Sequence, residues 1–143
     1  MNTYSSLGHG EAQLAIEAIK AELLRQGKAA TIVAVDVHGE LVGMLRLDGA
    51  SFSTIVIAVN KAFTAARERC ATRLIGQAAR DPQGGFDMAY YGDPRYIGWG
   101  GGIPVVIGGT AVGSISVSGL SEQEDADLAQ IGVAAIVASL SSK

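Results

Sequence analysis

Lys61 is the residue whose setting most invites chemistry. It lies in the middle of Ile55-Val-Ile-Ala-Val-Asn-Lys-Ala-Phe63, a run with helical periodicity and a thin polar face. A lysine desolvated there could bind an acid, or carry a depressed pKa suited to general-base or Schiff-base work. The plainer alternative is a side chain that snorkels from the helix edge. Arg46 and Asp48 close a strand-like run and Arg95 lies in a loop of rings; several cations facing that loop could hold a carboxylate or a haem propionate. Arg46 and Asp48 could equally form a structural or solvated pair. Asp48 or Glu122 could serve as an acid/base partner to Lys61.

The loop itself, Asp81 to Gly102, holds five of the eight aromatic rings (Phe86, Tyr90, Tyr91, Tyr96 and Trp99) and seven of the nineteen glycines. Rings and flexible backbone gathered on one long segment point to a pocket rim or a subunit contact. Tyr and Trp would give such a pocket flat apolar walls. In the bland alternative the rings plug the core edge while the glycines turn the chain.

Two histidines are present, His9 and His38, far apart and without the spacing of a ligand pair, so a protein-ligated metal site is not expected. His38 reads as a solvated turn residue. His9, ahead of the first helix, is the candidate axial ligand should the chain bind haem. The lone Cys70 excludes an intrachain disulfide and reads as a buried, inert thiol on a helical segment. No Ser-His-Asp order, nucleophile elbow, phosphate loop or GxGxxG after a strand occurs. Gly98 to Gly102 precedes a strand, whereas a phosphate cradle needs helix N-terminal amides.

The elements that must position these residues follow from periodicity. Glu11 to Gln26 carries Ala12, Ala15, Ile16, Ile19 and Leu23 on one face, and Gly27 stops it. Ala30 to Asp36 and Leu41 to Leu47 form a hairpin closed at His38-Gly39. Ser51 or Ser53 caps a second long helix, and Ala71 to Ala79 forms a shorter one. Ile103 to Ile107 and Ala111 to Val117 form a second hairpin about Gly108-Gly109. Ser121-Glu-Gln-Glu124 is a capping box opening a last helix that is apolar on nearly every side from Leu128 to Leu140. Such a helix is buried all round, which one sheet cannot achieve, so a second subunit is expected to cover it.

The order α-β-β-α-(α)-loop-β-β-α predicts an α+β domain with an antiparallel sheet, one domain over residues 1–143. Eleven Lys and Arg against fourteen Asp and Glu give a formal charge of −3 with no basic run, so nucleic acid is not an expected partner. No signal peptide and no membrane span are expected, which leaves the cytoplasm as the default location.

Six segments in this order resemble one family. They are Val35-Asp-Val-His-Gly-Glu-Leu-Val42, Arg46-Leu-Asp-Gly-Ala50, Ala58-Val-Asn-Lys-Ala-Phe-Thr-Ala65, Gly101-Gly-Ile-Pro-Val-Val106, Val112-Gly-Ser-Ile-Ser-Val-Ser-Gly119 and Ser121-Glu-Gln-Glu-Asp125. Together they resemble the GlcG/HbpS family of small haem-binding or haem-degrading-type domains. That family also supplies the C-terminal domain of PduO-type cobalamin adenosyltransferases. The resemblance spans Glu11 to Leu140. It implies a profilin-like α+β fold with a five-stranded antiparallel sheet flanked by helices, a dimer or higher oligomer, and a haem-associated role for some members. The rings between Tyr90 and Trp99 are more numerous than the haem-binding members lead one to expect, which suggests a smaller ligand.

The leading expectation is therefore a small-molecule binding protein, with haem the first ligand to test. Its pocket would lie between the Lys61 helix and the aromatic loop, with Arg46, Arg95 or Lys61 on carboxylates and Tyr90, Tyr91, Tyr96 and Trp99 as walls. The alternative is a cofactor-free enzyme acting on a small carboxylate by proton transfer or addition–elimination, with Lys61 as acid/base or anchor. A third reading makes the aromatic loop an assembly surface.

Overall fold

The computed structural model describes residues 1–141; residues 142 and 143, the end of the expected domain, lie outside the described residues. Helix α1 (His9–Gln26) starts two residues earlier than its apolar stripe suggests and ends at Gly27, whose φ of 67° supplies the left-handed cap. Strands β1 (Thr31–Val35) and β2 (Leu41–Arg46) form the first hairpin. Its turn is held by Asp36, whose Oδ1 accepts from the N–H groups of His38 and Glu40. Helix α2 (Thr54–Glu68) follows, then α3 (Thr72–Ala79) and a 3-10 turn at Met88–Tyr91 inside the aromatic loop. Strands β3 (Gly102–Ile107) and β4 (Thr110–Ser118) close through Gly108 and Gly109, both at positive φ, as a two-residue hairpin turn requires. Helix α4 (Glu122–Ser141) begins with the expected capping box: the Glu124 N–H donates to Ser121 Oγ and the Ser121 N–H to Glu124 Oε1.

The strands lie antiparallel in the order β2-β1-β4-β3. Among the described residues the sheet has four strands, not the five that the resemblance implied. The segment ahead of α1 meets the sheet at a single backbone hydrogen bond, Leu7 N–H to Val112 O, too little for a ladder.

Helices cover both faces. Ile32, Ala34, Ile115 and Val117 join α1 and α4 in one core, while Val33 and Val35 pack against Ala58, Ala62 and Ala66 of α2. On that second face β4 presents Ser114 and Ser116 instead of apolar side chains, and their hydroxyls donate to the carbonyls of Ala62 and Ala58. These buried bonds fix the rotation of α2 about its axis, and with it the direction of Lys61.

Two expectations change. Arg69, at φ 54°, ends α2, so Cys70 lies between helices and is half-buried. Helix α4 is covered on one side only within the chain. Leu128, Ala129, Val133 and Ile136 are buried, while Ile131, Ala134 and Val137 face outward. The reason is geometric: α1 and the sheet together meet one stripe of the helix, however apolar the rest is.

Candidate functional site

The site lies where the β3–β4 ladder ends. Strand β3 pairs with β4 as far as Gly102 opposite Ser116, and the Val117 N–H still reaches Gly101 O. The Val117 carbonyl beyond it is taken by a side chain: Lys61 Nζ donates to it at 3.1 Å. The same ammonium donates to Asp125 Oδ2 at 3.1 Å. Lys61 reaches this place from α2 and Asp125 from the first turn of α4, with side chains only 2% and 3% exposed. Asp125 is held in turn, since its Oδ1 accepts the Leu120 N–H at 3.0 Å.

Gly101 makes the approach feasible. It sits at φ 131°, and a Cβ there would lie 2.6 Å from Val117 O and 2.8 Å from Lys61 Nζ. Thr72 fastens the next residue through its Oγ1, which accepts the Gly102 N–H. Glu122 fastens the one before, accepting the Gly100 N–H at 2.7 Å.

Lys61 and Asp125 line a pocket of about 200 Å3 with Ser51, Thr54, Ser118 and Trp99. The Trp99 ring is half exposed, and its centroid lies 5.7 Å from Lys61 Nζ, within cation–π range. Burial lowers the Lys61 pKa, and the opposing charges of Asp125 and Glu122 restore part of the loss. Burial raises the Asp125 pKa, and Lys61 and the backbone amides oppose that shift. Burial thus disfavours the charged form of each group, while their mutual attraction favours it.

The structure brings Lys61, Glu122 and Trp99 together and sends the other candidates elsewhere. Asp48 is exposed in the turn after β2. Arg46 lies on the α2 face two strands from Ser118, its guanidinium 5.2 Å from the Phe52 ring centre, and neither Arg46 nor Phe52 lines the pocket. Arg95 pairs with Asp93 at 2.9 Å and stacks over Phe63 at 3.9 Å. Tyr96 meets Phe63 edge-on and Tyr91 face-on, with centroids 5.2 and 4.2 Å apart. Tyr90, Tyr91 and Phe86 line a separate open depression. His9 is exposed at the start of α1, near the beginning of β4, whereas Lys61 is at its end. Among the described residues no cluster of three or more His, Cys, Asp or Glu could hold a metal ion, and no helix is long and apolar enough to cross a membrane.

Sequence reasoning did not select Asp125, Thr54 or Ser118. For Asp125 a signal existed. It lies three and four residues ahead of Leu128 and Ala129, on the buried stripe of α4 rather than on its solvated side.

Residues 7–134 match the sequence profile of a family described as haem degrading protein HbpS-like. The chain belongs to the HbpS-like family. Among its relatives is an uncharacterised 15.0 kDa protein from the dhaT-dhaS intergenic region of Citrobacter freundii, 30% identical over 114 residues, 80% of each chain. Klebsiella pneumoniae ORFY superposes with a TM-score of 0.89 at 26% identity, covering 95% of this chain and 94% of that one. HbpS itself superposes at 0.81 with 28% identity, covering 94% and 92%. The PduOC:heme complex shares the fold, with a TM-score of 0.83 at 23% identity over 90% of this chain and 94% of that one.

Proposed function

We propose that this HbpS-like chain is a cytoplasmic small-molecule binding protein and that its ligand is a small carboxylate-bearing molecule seated in the Lys61 pocket. The observation that carries the reading is the buried Lys61–Asp125 pair at the floor of that pocket. A buried ion pair is costly to desolvate and contributes little net stability, so its position facing an opening suits recognition better than scaffolding. The Ser51 and Thr54 side chains and the first turn of α2, which holds no acidic residue, give an anion a favourable seat.

Membership in the family makes haem the first large ligand to test. The Lys61 pocket does not by itself suit a whole haem. Its volume is below the roughly 300–1,000 Å3 of sites for larger ligands, and no His, Cys, Met or Tyr lines it to serve as axial ligand. What fits is one carboxylate arm. We further propose that two chains associate through the outward stripe of α4, Ile131, Ala134 and Val137.

Trp99 is the sole tryptophan, so its emission reads the pocket directly. Lactate and succinate are expected to give saturable changes in Trp99 fluorescence that disappear in folded Lys61→Met protein. A parallel hemin titration reads the Soret band. A flat response to both carboxylates and to hemin overturns the binding reading.

The opposed pKa shifts of Lys61 and Asp125 favour a second reading, cofactor-free proton transfer on a small carboxylate, with Asp125 as partner in place of Asp48. Full turnover by an assembled Lys61→Met protein would end it.

A further inference from the structure

We propose that Lys61 forms a covalent imine with a small carbonyl compound, a short aldehyde or 2-oxo acid, using Asp125 as its proton donor. The inference rests on the pocket assigned above and adds bond formation to binding.

The geometry supplies each part. An ammonium has three N–H positions. Lys61 spends two, on Val117 O and Asp125 Oδ2, and among the described residues no acceptor takes the third, which leaves it for the space between Nζ and the Trp99 ring. Nζ is therefore both fixed and facing an opening. Asp125 Oδ2 lies 3.1 Å from it, within range to deliver a proton to an oxygen bound beside the amine. Three hundred cubic ångströms would be generous for such a ligand, and the roughly 200 Å3 present suits three or four heavy atoms of carbon skeleton with their oxygens.

The steps balance. When a ligand closes the mouth and expels water, the neutral arrangement of the pair, amine and carboxylic acid, gains relative to the charged one. The Lys61 lone pair then adds to the carbonyl carbon, the C=O π pair moves to oxygen, and Asp125 protonates that oxygen. The adduct nitrogen returns one proton to Asp125. The hydroxyl leaves as water with that proton while the nitrogen lone pair closes the C=N bond. One amine, one carboxylic acid and one carbonyl become a protonated imine, a carboxylate and one water, with no change of oxidation state. The product restores an ion pair in the place of the original one. Burial that lowers the Lys61 pKa supports the nucleophilic state.

The test is reductive trapping on the full chain. Protein is incubated with pyruvate or propanal, treated with borohydride and mapped by peptide mass. The expected product is Lys61 carrying the probe less one water plus two hydrogens. Exposed Lys20 and Lys28, which pair with Glu17 and Glu124 at the surface, are internal controls. Lys61 is expected to label several-fold faster than either, since burial lowers its pKa and leaves more of its amine free. Asp125→Asn is expected to slow Lys61 labelling more than that of the controls. Equal labelling of Lys20, Lys28 and Lys61 overturns the proposal, and this comparison needs no variant to fold. A saturable Trp99 response to pyruvate without an adduct at Lys61 overturns the imine and leaves binding intact. A chain that neither responds nor labels overturns both.

Discussion

Lys61 Nζ and Asp125 Oδ2 lie 3.1 Å apart across 64 residues of chain. They meet because β3 stops at Gly102 and leaves the Val117 carbonyl for a side chain to satisfy. One lysine thus ends a ladder, joins a helix on one sheet face to a helix on the other, and forms the floor of a pocket.

The energetic consequence is asymmetric. Removing one partner strands a buried charge, and each of Lys61→Met and Asp125→Asn is expected to lose about 3–5 kcal/mol. Replacing both with apolar side chains, as in Lys61→Met with Asp125→Leu, is expected to lose much less than the sum. Urea unfolding of the four proteins checks this, and additive losses would show that the two residues act separately.

The pair should also set a pH dependence. The folded Asp125 pKa is raised, so its contribution is fully present below the unfolded pKa, near 4, and is lost as pH rises through the folded value. The folded Lys61 pKa is lowered, so its contribution is present above about 10.5 and is lost as pH falls through the folded value. Between these limits both groups cost stability. Relative to the double apolar variant, the natural chain is therefore expected to be least favoured near neutral pH. A stability difference that stays flat from pH 4 to 10 would refute the assignment.

The hairpins, the helices and the burial of Lys61 are legible because each rests on local pattern: β-branched runs, a Gly-Gly turn, a stripe, a charge without a polar face. What the sequence could not carry was the path of the aromatic loop. Thr64 pins it to α2, accepting the Ile97 N–H and donating to Arg95 O, and this sends Tyr96 and Arg95 to Phe63, with Tyr91 stacked on Tyr96, while Trp99 reaches Lys61. Those are long-range contacts without periodicity. Asp125 was hidden differently: the capping box explained its charge well enough that its place on the buried stripe went unused.

Gly101 offers a test of the approach itself. A methyl group there would strike Val117 O and Lys61 Nζ, and φ 131° disfavours any side chain. Left-handed strain alone costs about 1–3 kcal/mol, and the carbonyl cannot retreat without breaking the ladder. Gly101→Ala is expected to destabilise the fold by at least that and to change Trp99 emission. Gly84→Ala, in open space with ordinary backbone, is the matched control expected to do neither. Equal behaviour of the two variants would show that the glycine run is not packed on the lysine.

The outer stripe of α4 is the surface proposed above for self-association. Ile131 and Val137 are 37% and 38% exposed and follow one another with Ala134 on a single side of the helix. Burying a Val or Ile fully is worth roughly 1.5–3 kcal/mol, and each retains part of that gain unrealised in the isolated chain. A two-fold pairing of α4 with its copy would collect those contributions twice, since a self-complementary interface repeats every contact. Light scattering at micromolar concentration is expected to report at least a dimer. Val137→Glu is expected to give a monomer of unchanged helicity, because the side chain points away from the core that Val133 and Ile136 join. A natural chain that scatters as a monomer removes this interface, and an assembled Val137→Glu protein places it on another surface.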